Sequence, residues 1–334
     1  MNELRLSTAW TLHGLRAIVL ENRFLQLVIL PQAGGKIWQI TYKPLDAPLL
    51  WNNPRIVPAR HTIHAHYDDL WSGGWDELFP NDEAGLLQGE FLPDHGELWT
   101  GDWHAEPFED SDSIGVRLRF TTPISCFLVE RTIRLRAGSG RFEIDYRFTN
   151  QNSEVYPFLW KLHPAFAVSA QHRIDFPQMT AVREPGFPGT LGEAPLSFAW
   201  PHAQLGASSL DLRNVPDASS RAVHFFYGTE MAAGWCAMTN RANGLATVLR
   251  FDPEVFSSCW LFASHGGWRN LNVAVLEPAT GYPFQTQAMI DAERARWLAP
   301  GESLETSVLF ATAEGLKSVG GIDASGQIYP GDES

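Results

Sequence analysis

Apolar and polar residues alternate along most of this chain with a period of two. Arg141-Phe-Glu-Ile-Asp-Tyr-Arg-Phe148 alternates without a break, Cys126 to Leu135 has the same rhythm, and Ala137-Gly-Ser-Gly140 between them predicts a hairpin turn. Short β runs of the same kind cover Arg16 to Glu21, Leu25 to Leu30, Lys36 to Tyr42 and Gly115 to Thr121. Others cover Ala222 to Tyr227, Gly234 to Thr239, Ala246 to Phe251, Ser258 to Ala263, Leu271 to Leu276 and Ser303 to Ala311. Only Ala288 to Leu298 reads as a helix. So many strands with so little helix predict an all-β chain, a large antiparallel sandwich or barrel. Residues 1–315 read as a single domain followed by a polar, Gly-rich tail, 316–334, that is loosely held. Two stretches interrupt the rhythm, 52–94 and 170–220, and loops that long in a compact domain either serve function or hold short elements of their own.

The bulk numbers narrow the function. A formal net charge of -13 over 334 residues argues against nucleic acid and anionic membrane as partners and favours a neutral or small ligand. No apolar run approaches the ~18 residues of a spanning helix, and the first residues lack a signal-peptide core. Three scattered cysteines, Cys126, Cys236 and Cys259, with no CxxC pair, read as reduced, buried thiols of a cytoplasmic protein. Thirteen tryptophans are best explained by core packing, with a few free to stack on the apolar faces of a sugar.

Three places carry candidate chemistry. Tyr156 to Leu162 is an apolar strand that presents His163 before Pro164, which cannot donate to a ladder and so predicts a strand end; alternation puts Lys161 on His163's face. Asn272-Val-Ala-Val-Leu-Glu277-Pro278 likewise predicts a carboxylate at the end of a buried strand, where desolvation favours a general base. Gly73-Gly-Trp-Asp-Glu-Leu-Phe-Pro-Asn81 and Leu92-Pro-Asp-His-Gly-Glu-Leu-Trp99 place Trp75, Asp76, Glu77 and His95 in Gly-turned loops as candidate ligand contacts, with His95 and Glu97 on one face if a strand starts there. A fourth run, His61-Thr-Ile-His64-Ala-His66-Tyr-Asp68, would put His64, His66 and Asp68 on one face of a strand as metal ligands; without a matching second segment it reads as a solvated histidine-rich loop, and no metal is assigned.

These residues resemble the galactose mutarotase-like, or aldose 1-epimerase, family. The resemblance rests on His95 in HGE-x-W, His163 in W-x-x-HP-x-F and Glu277 in V-x-LEP. It is supported by Gly34-Gly-Lys-Ile, Val129-Glu-Arg-Thr-Ile-Arg-Leu135, Tyr146-x-x-x-Asn150 and Leu298-Ala-Pro-Gly-Glu-Ser303, and covers roughly residues 15 to 312. It implies an antiparallel β-supersandwich, with Glu277 as general base, His163 as general acid and His95 as a hydrogen-bonding group near the sugar ring oxygen. Trp75, Asp76, Glu77 and Lys161 complete the candidate sugar contacts. The implied reaction opens and recloses a free aldose and needs no cofactor and no partner beyond the sugar, in a monomer or homodimer. GGWDELFPND points to a less-studied branch: neither Arg55 nor Arg60 sits in the family's arginine motif, and Asp211, Asp217 and Asp252 are equal candidates for its sugar-binding aspartate. The competing readings are a non-catalytic carbohydrate-binding protein of the same fold and a hexose-phosphate 1-epimerase. A polysaccharide lyase or hydrolase ranks last.

Overall fold

A computed structural model describes residues 3–187 and 189–332. The chain is all-β and antiparallel. It divides into two compact units, Met1–Pro164 with Thr280–Ser307, and Ala165–Ala279 with Val308–Ser334. Residues 1, 2, 333 and 334, at the ends of the expected domain and tail, lie outside the described residues.

In the first unit the strands Arg5–Leu12, Leu15–Glu21, Leu25–Leu30, Lys36–Tyr42 and Trp75–Leu78 lie side by side, and the first four residues of strand Lys161–Ala167 pair with Trp75–Leu78. A second sheet runs His104–Glu109, Ser113–Thr121, Phe127–Arg136, Arg141–Asn150. The expected hairpin joins the last two, in register from Phe127↔Asn150 to Leu135↔Phe142. Every second side chain of Arg141–Asn150 is buried, so the alternation in the sequence maps onto one apolar and one wet face. Between the elements Phe79 packs against Phe127, Phe148 and Phe158 at ring distances of 4.9, 5.0 and 5.3 Å. Trp75, Trp103 and Trp160 are fully buried here, so these tryptophans are core.

One polar network crosses this core. Glu77 accepts from Arg131 Nη1 at 3.1 Å, from Tyr146 at 2.6 Å and from Trp160 Nε1 at 3.0 Å, while Arg131 also bonds the carbonyl of Gly35. A buried carboxylate is tolerable only with this many partners.

The second unit has Ser258–His265 flanked by Asn272–Ala279 and Ala222–Thr229, followed outward by Thr180–Arg183 and Ser197–Ala199. Its other sheet runs His172–Asp175, Trp235–Asn240, Leu245–Arg250 and the end of Ser303–Ala313, which pairs from Leu309 to Ala313. The 170–220 stretch therefore holds short strands rather than one long loop.

Four expectations change. The helix is Thr286–Asp291, not Ala288 to Leu298, because Glu293 turns left-handed (φ 57°) and Arg296–Leu298 is taken up as a strand by Tyr156–Phe158. The tail is held: Val319–Ile322 and Ile328–Pro330 form a hairpin whose Val319 and Ile328 are buried against Trp235, Ala237 and Val248. Cys126 is exposed, unlike Cys236 and Cys259. Neither His163-Pro164 nor Glu277-Pro278 ends a strand; each lies inside one, Lys161–Ala167 and Asn272–Ala279. A proline removes one donor toward one neighbour only, so the ladder continues past it. Among the described residues no helix is long and apolar enough to cross a membrane.

Candidate active site

Strand register builds the site. Trp75–Leu78 pairs antiparallel with the His163 strand so that His163 lies opposite Asp76 and Leu162 opposite Glu77. Cross-strand partners share a face. Asp76 therefore points to the side of His163, while Trp75 and Glu77 point to the other, into the core just described. Gly73 makes this approach possible: its φ is 86°, and a Cβ there would stand 2.3 Å from the carbonyl oxygen of Trp51.

Behind His163 stands Tyr67, from the short helix Tyr67–Leu70. The Tyr67 hydroxyl is 3.1 Å from His163 Nδ1 and 2.9 Å from Asp76 Oδ2. Asp76 is ion-paired to Lys36 Nζ at 3.2 Å, and the same ammonium donates to Ser72 Oγ and the Gly73 carbonyl, both at 3.0 Å. The His163 ring is clasped edge-on by Tyr67 and Trp71, at 5.5 and 5.4 Å. It is 6% exposed, and Asp76 and Lys36 are equally buried. Burial, then the positive charges of Lys161, His95 and Lys36, drive the His163 pKa well below that of a free imidazole, so its resting form is neutral.

His95 belongs to the same cluster. The turn before it puts both His95 (φ 60°) and Gly96 (φ 73°) in the left-handed region. Its ring stacks on Tyr67 at 4.2 Å, 14° from parallel. Nδ1 is 2.7 Å from Asp94 Oδ1, and Nε2 is 3.8 Å from Asp82 Oδ1. Burial opposes its charge, but Asp82 and the bond to Asp94 outweigh that and raise its pKa. Lys161, on His163's face as alternation requires, forms a buried ion pair with Asp82. The cluster thus holds a neutral histidine beside a readily charged one, with Trp99 edge-on to Tyr67 at 5.0 Å.

Other candidates lie elsewhere. Glu97 does not share a strand face with His95; its carboxylate accepts from the backbone of Ile124 and Ser125 at 2.7 and 3.0 Å. His61 packs on Trp99 at 5.5 Å and His64 near Phe91 at 6.4 Å, while His66 precedes the Tyr67 helix, so the H-x-H-x-D run is not a strand. Among the described residues no three His, Cys, Asp or Glu side chains could hold a metal ion. Asp211 is bound by Arg213 at 2.9 Å, Asp217 accepts from the Ser219 amide at 2.8 Å, and Asp252 from the Glu254 amide at 2.9 Å. Arg60 pairs with Asp102 at 3.2 Å on the surface.

In the second unit Glu277 is 1% exposed, opposite Trp260 on a strand whose residues from Val273 onward are all buried. A buried carboxylate is kept only where partners offset the cost of taking it out of water.

Sequence reasoning missed Tyr67, Lys36, Asp82, Asp94 and Trp71 as parts of the cluster. Lys36 and Asp82 were inside the quoted motifs Gly34-Gly-Lys-Ile and GGWDELFPND; Tyr67 was hidden in the histidine run.

No protein-family model matches the chain. Its fold is that of the galactose mutarotase-like proteins, as the resemblance in the sequence implied. Among solved structures it is similar to a "putative aldose 1-epimerase" from Klebsiella pneumoniae subsp. pneumoniae, with TM-score 0.74 and 14% identity over 92% of this chain and 83% of that one. It is also similar to the Slr1438 protein from Synechocystis sp. PCC 6803, with TM-score 0.66 and 16% identity over 94% and 100% of the two chains. A galactose mutarotase-like protein from Clostridium acetobutylicum matches with TM-score 0.65 and 13% identity over 94% and 100%.

Proposed function

We propose that this protein is an aldose 1-epimerase that interconverts the α and β anomers of a free sugar. The observation that carries the reading is the buried cluster around His163, an imidazole held among Tyr67, Asp76 and Trp71 on a fold of this type. In this reading Glu277 is the base that takes the anomeric hydroxyl proton, and His163, which must take up a proton before ring opening, is the acid that gives that proton to the ring oxygen. Rotation about C1–C2 in the open chain and reclosure with the roles reversed give the other anomer. His95 and Lys161 bind sugar hydroxyls. Asp76 acts on His163 rather than on the sugar, and Trp75 and Glu77 support the core. The cationic side chains of the cluster, Lys36, Lys161 and His95, are already paired with Asp76, Asp82 and Asp94, which favours a neutral sugar over a sugar phosphate.

The test is the rate at which freshly dissolved α-glucose, α-galactose and a panel of other aldoses lose their excess optical rotation. The protein should accelerate at least one. Glu277→Gln and His163→Asn should each slow that reaction by roughly 10²–10⁴-fold with the fold intact. Binding without acceleration of any sugar would replace the reading with a non-catalytic carbohydrate-binding protein. Acceleration only of hexose phosphates would move the substrate class.

A further inference from the structure

A hollow lies away from the His163 cluster, on the outer face of the strands Arg5–Leu12, Leu15–Glu21 and Leu25–Leu30 at the end of the first unit's sheet. Alternation divides these strands cleanly. Ile18, Leu20, Leu27 and Ile29 turn inward and are buried. The opposite side chains form cross-strand rows: Arg5 beside Glu21 beside Gln26, then Ser7 beside Val19 beside Val28. Strict alternation would bring Ala9 to this face next. A bulge between Ser7 and Trp10 changes the parity, so Trp10 stands opposite Ala17 instead. The extra residue re-aims an indole onto the outer face, where it is 58% exposed.

The hollow between these rows measures about 250 Å³. Ligand pockets start near 300 Å³, so this one suits a single small ring and nothing larger. Ala17, Val19 and Val28 give it a floor of short apolar side chains. Its far end is polar. Glu21 accepts from Gln26 Nε2 at 3.1 Å and pairs with Lys43. Burial raises the Glu21 pKa, but the bonds from Lys43 and Gln26 outweigh that and lower it, so the group is an ionised acceptor. A carboxylate has about four acceptor positions, and two donors fix its orientation without filling them.

We propose that this hollow is a second carbohydrate site, which takes one neutral pyranose ring with its C–H face on Trp10 and its hydroxyls on the row of Arg5, Glu21 and Gln26. A pyranose is apolar on its faces and polar around its rim, and the hollow is divided in the same way. An anionic ligand would meet the Glu21 carboxylate. A wholly apolar one would take Glu21 and Arg5 out of water with nothing in exchange. The site is also separate from the His163 cluster. Five strand spacings of about 4.8 Å, roughly 24 Å along the sheet, lie between Arg5–Leu12 and Lys161–Ala167, so one sugar ring cannot touch both. The proposal does not rest on the epimerase reading, since a protein that only binds sugars has the same use for it.

The experiment is ¹⁵N NMR of the full-length protein labelled at the tryptophan indoles, with the Trp10 signal identified by its loss in Trp10→Phe. The probes are the methyl glycosides of glucose, galactose and mannose, together with maltose and lactose. Methyl glycosides cannot open their rings, so they report binding without turnover. At least one probe should shift the Trp10 signal saturably, with a Kd of millimolar order. Val19→Phe, which fills the hollow and keeps Trp10, should abolish the shift. Gln26→Leu should weaken binding roughly tenfold, and His163→Asn should leave it unchanged. No Trp10 shift with any probe, a shift that survives Val19→Phe, or one that disappears in His163→Asn overturns the proposal. Sedimentation showing a dimer, with a Trp10 signal that follows protein concentration rather than sugar, would give this face to a second copy of the chain and overturn it as well.

Discussion

Replacing Lys161 by methionine removes one half of a buried ion pair and keeps the length of the side chain. Lys161 and Asp82 are 4% and 10% exposed, so neither charge is well screened by solvent. Truncating one partner of such a pair typically costs about 3–5 kcal/mol, mostly the penalty of an uncompensated buried charge. Here His95 Nε2 stands 3.8 Å from Asp82, and its raised pKa lets it supply a positive charge, which puts the expected loss at the lower end, about 3 kcal/mol. A second readout follows from the same substitution. After burial, the charge of Lys161 is the next cause of the lowered His163 pKa, so its removal should raise the titration midpoint of His163. Urea denaturation followed by tryptophan fluorescence at pH 7.5 measures the first effect, and ¹⁵N titration of His163 the second. A loss under about 1 kcal/mol, as for a surface pair, would show that the pair is not desolvated. A His163 midpoint that falls would show that the charge of Lys161 does not reach it.

Two further outcomes separate core from site and set the acid limit of stability. Glu77→Gln leaves Arg131 without its carboxylate and should destabilise the protein by roughly 3 kcal/mol in urea, while KM for any reactive sugar stays unchanged; a raised KM at unchanged stability would return Glu77 to the sugar site. His224, buried and facing His265, is held down to about 3, below the ~6.5 of an unfolded histidine. The unfolded state therefore binds its proton first as pH falls, so stability present above pH ~6.5 is lost toward pH ~3, by about 2 kcal/mol for this group at pH 5. Urea curves at pH 7.5 and 5.0 should show this loss in the wild type and less of it in His224→Leu; equal losses in both would contradict it.

The strands were legible because half-buried β structure writes itself into sequence at a period of two, and Arg141–Asn150 folds as its alternation says. The histidine and glutamate motifs were legible too, and with them the fold. The strand ends were not. Pro164 and Pro278 look like stops along the chain, but a ladder reads each proline from one side only. Nor could local sequence choose between Asp76 and Glu77, two adjacent carboxylates in one loop. Their fates were decided by pairing: once His163 lies opposite Asp76, parity sends Glu77 the other way, to Arg131. The chain Lys36–Asp76–Tyr67–His163 spans residues far apart in sequence, and Tyr67 sits among histidines that draw the eye to metal. Sequence alone determined which ionisable side chains this protein carries and that His163 and Glu277 ride on strands. Which of them face one another came only from tertiary register, because hydrogen bonds are made across space between groups that the chain order keeps apart.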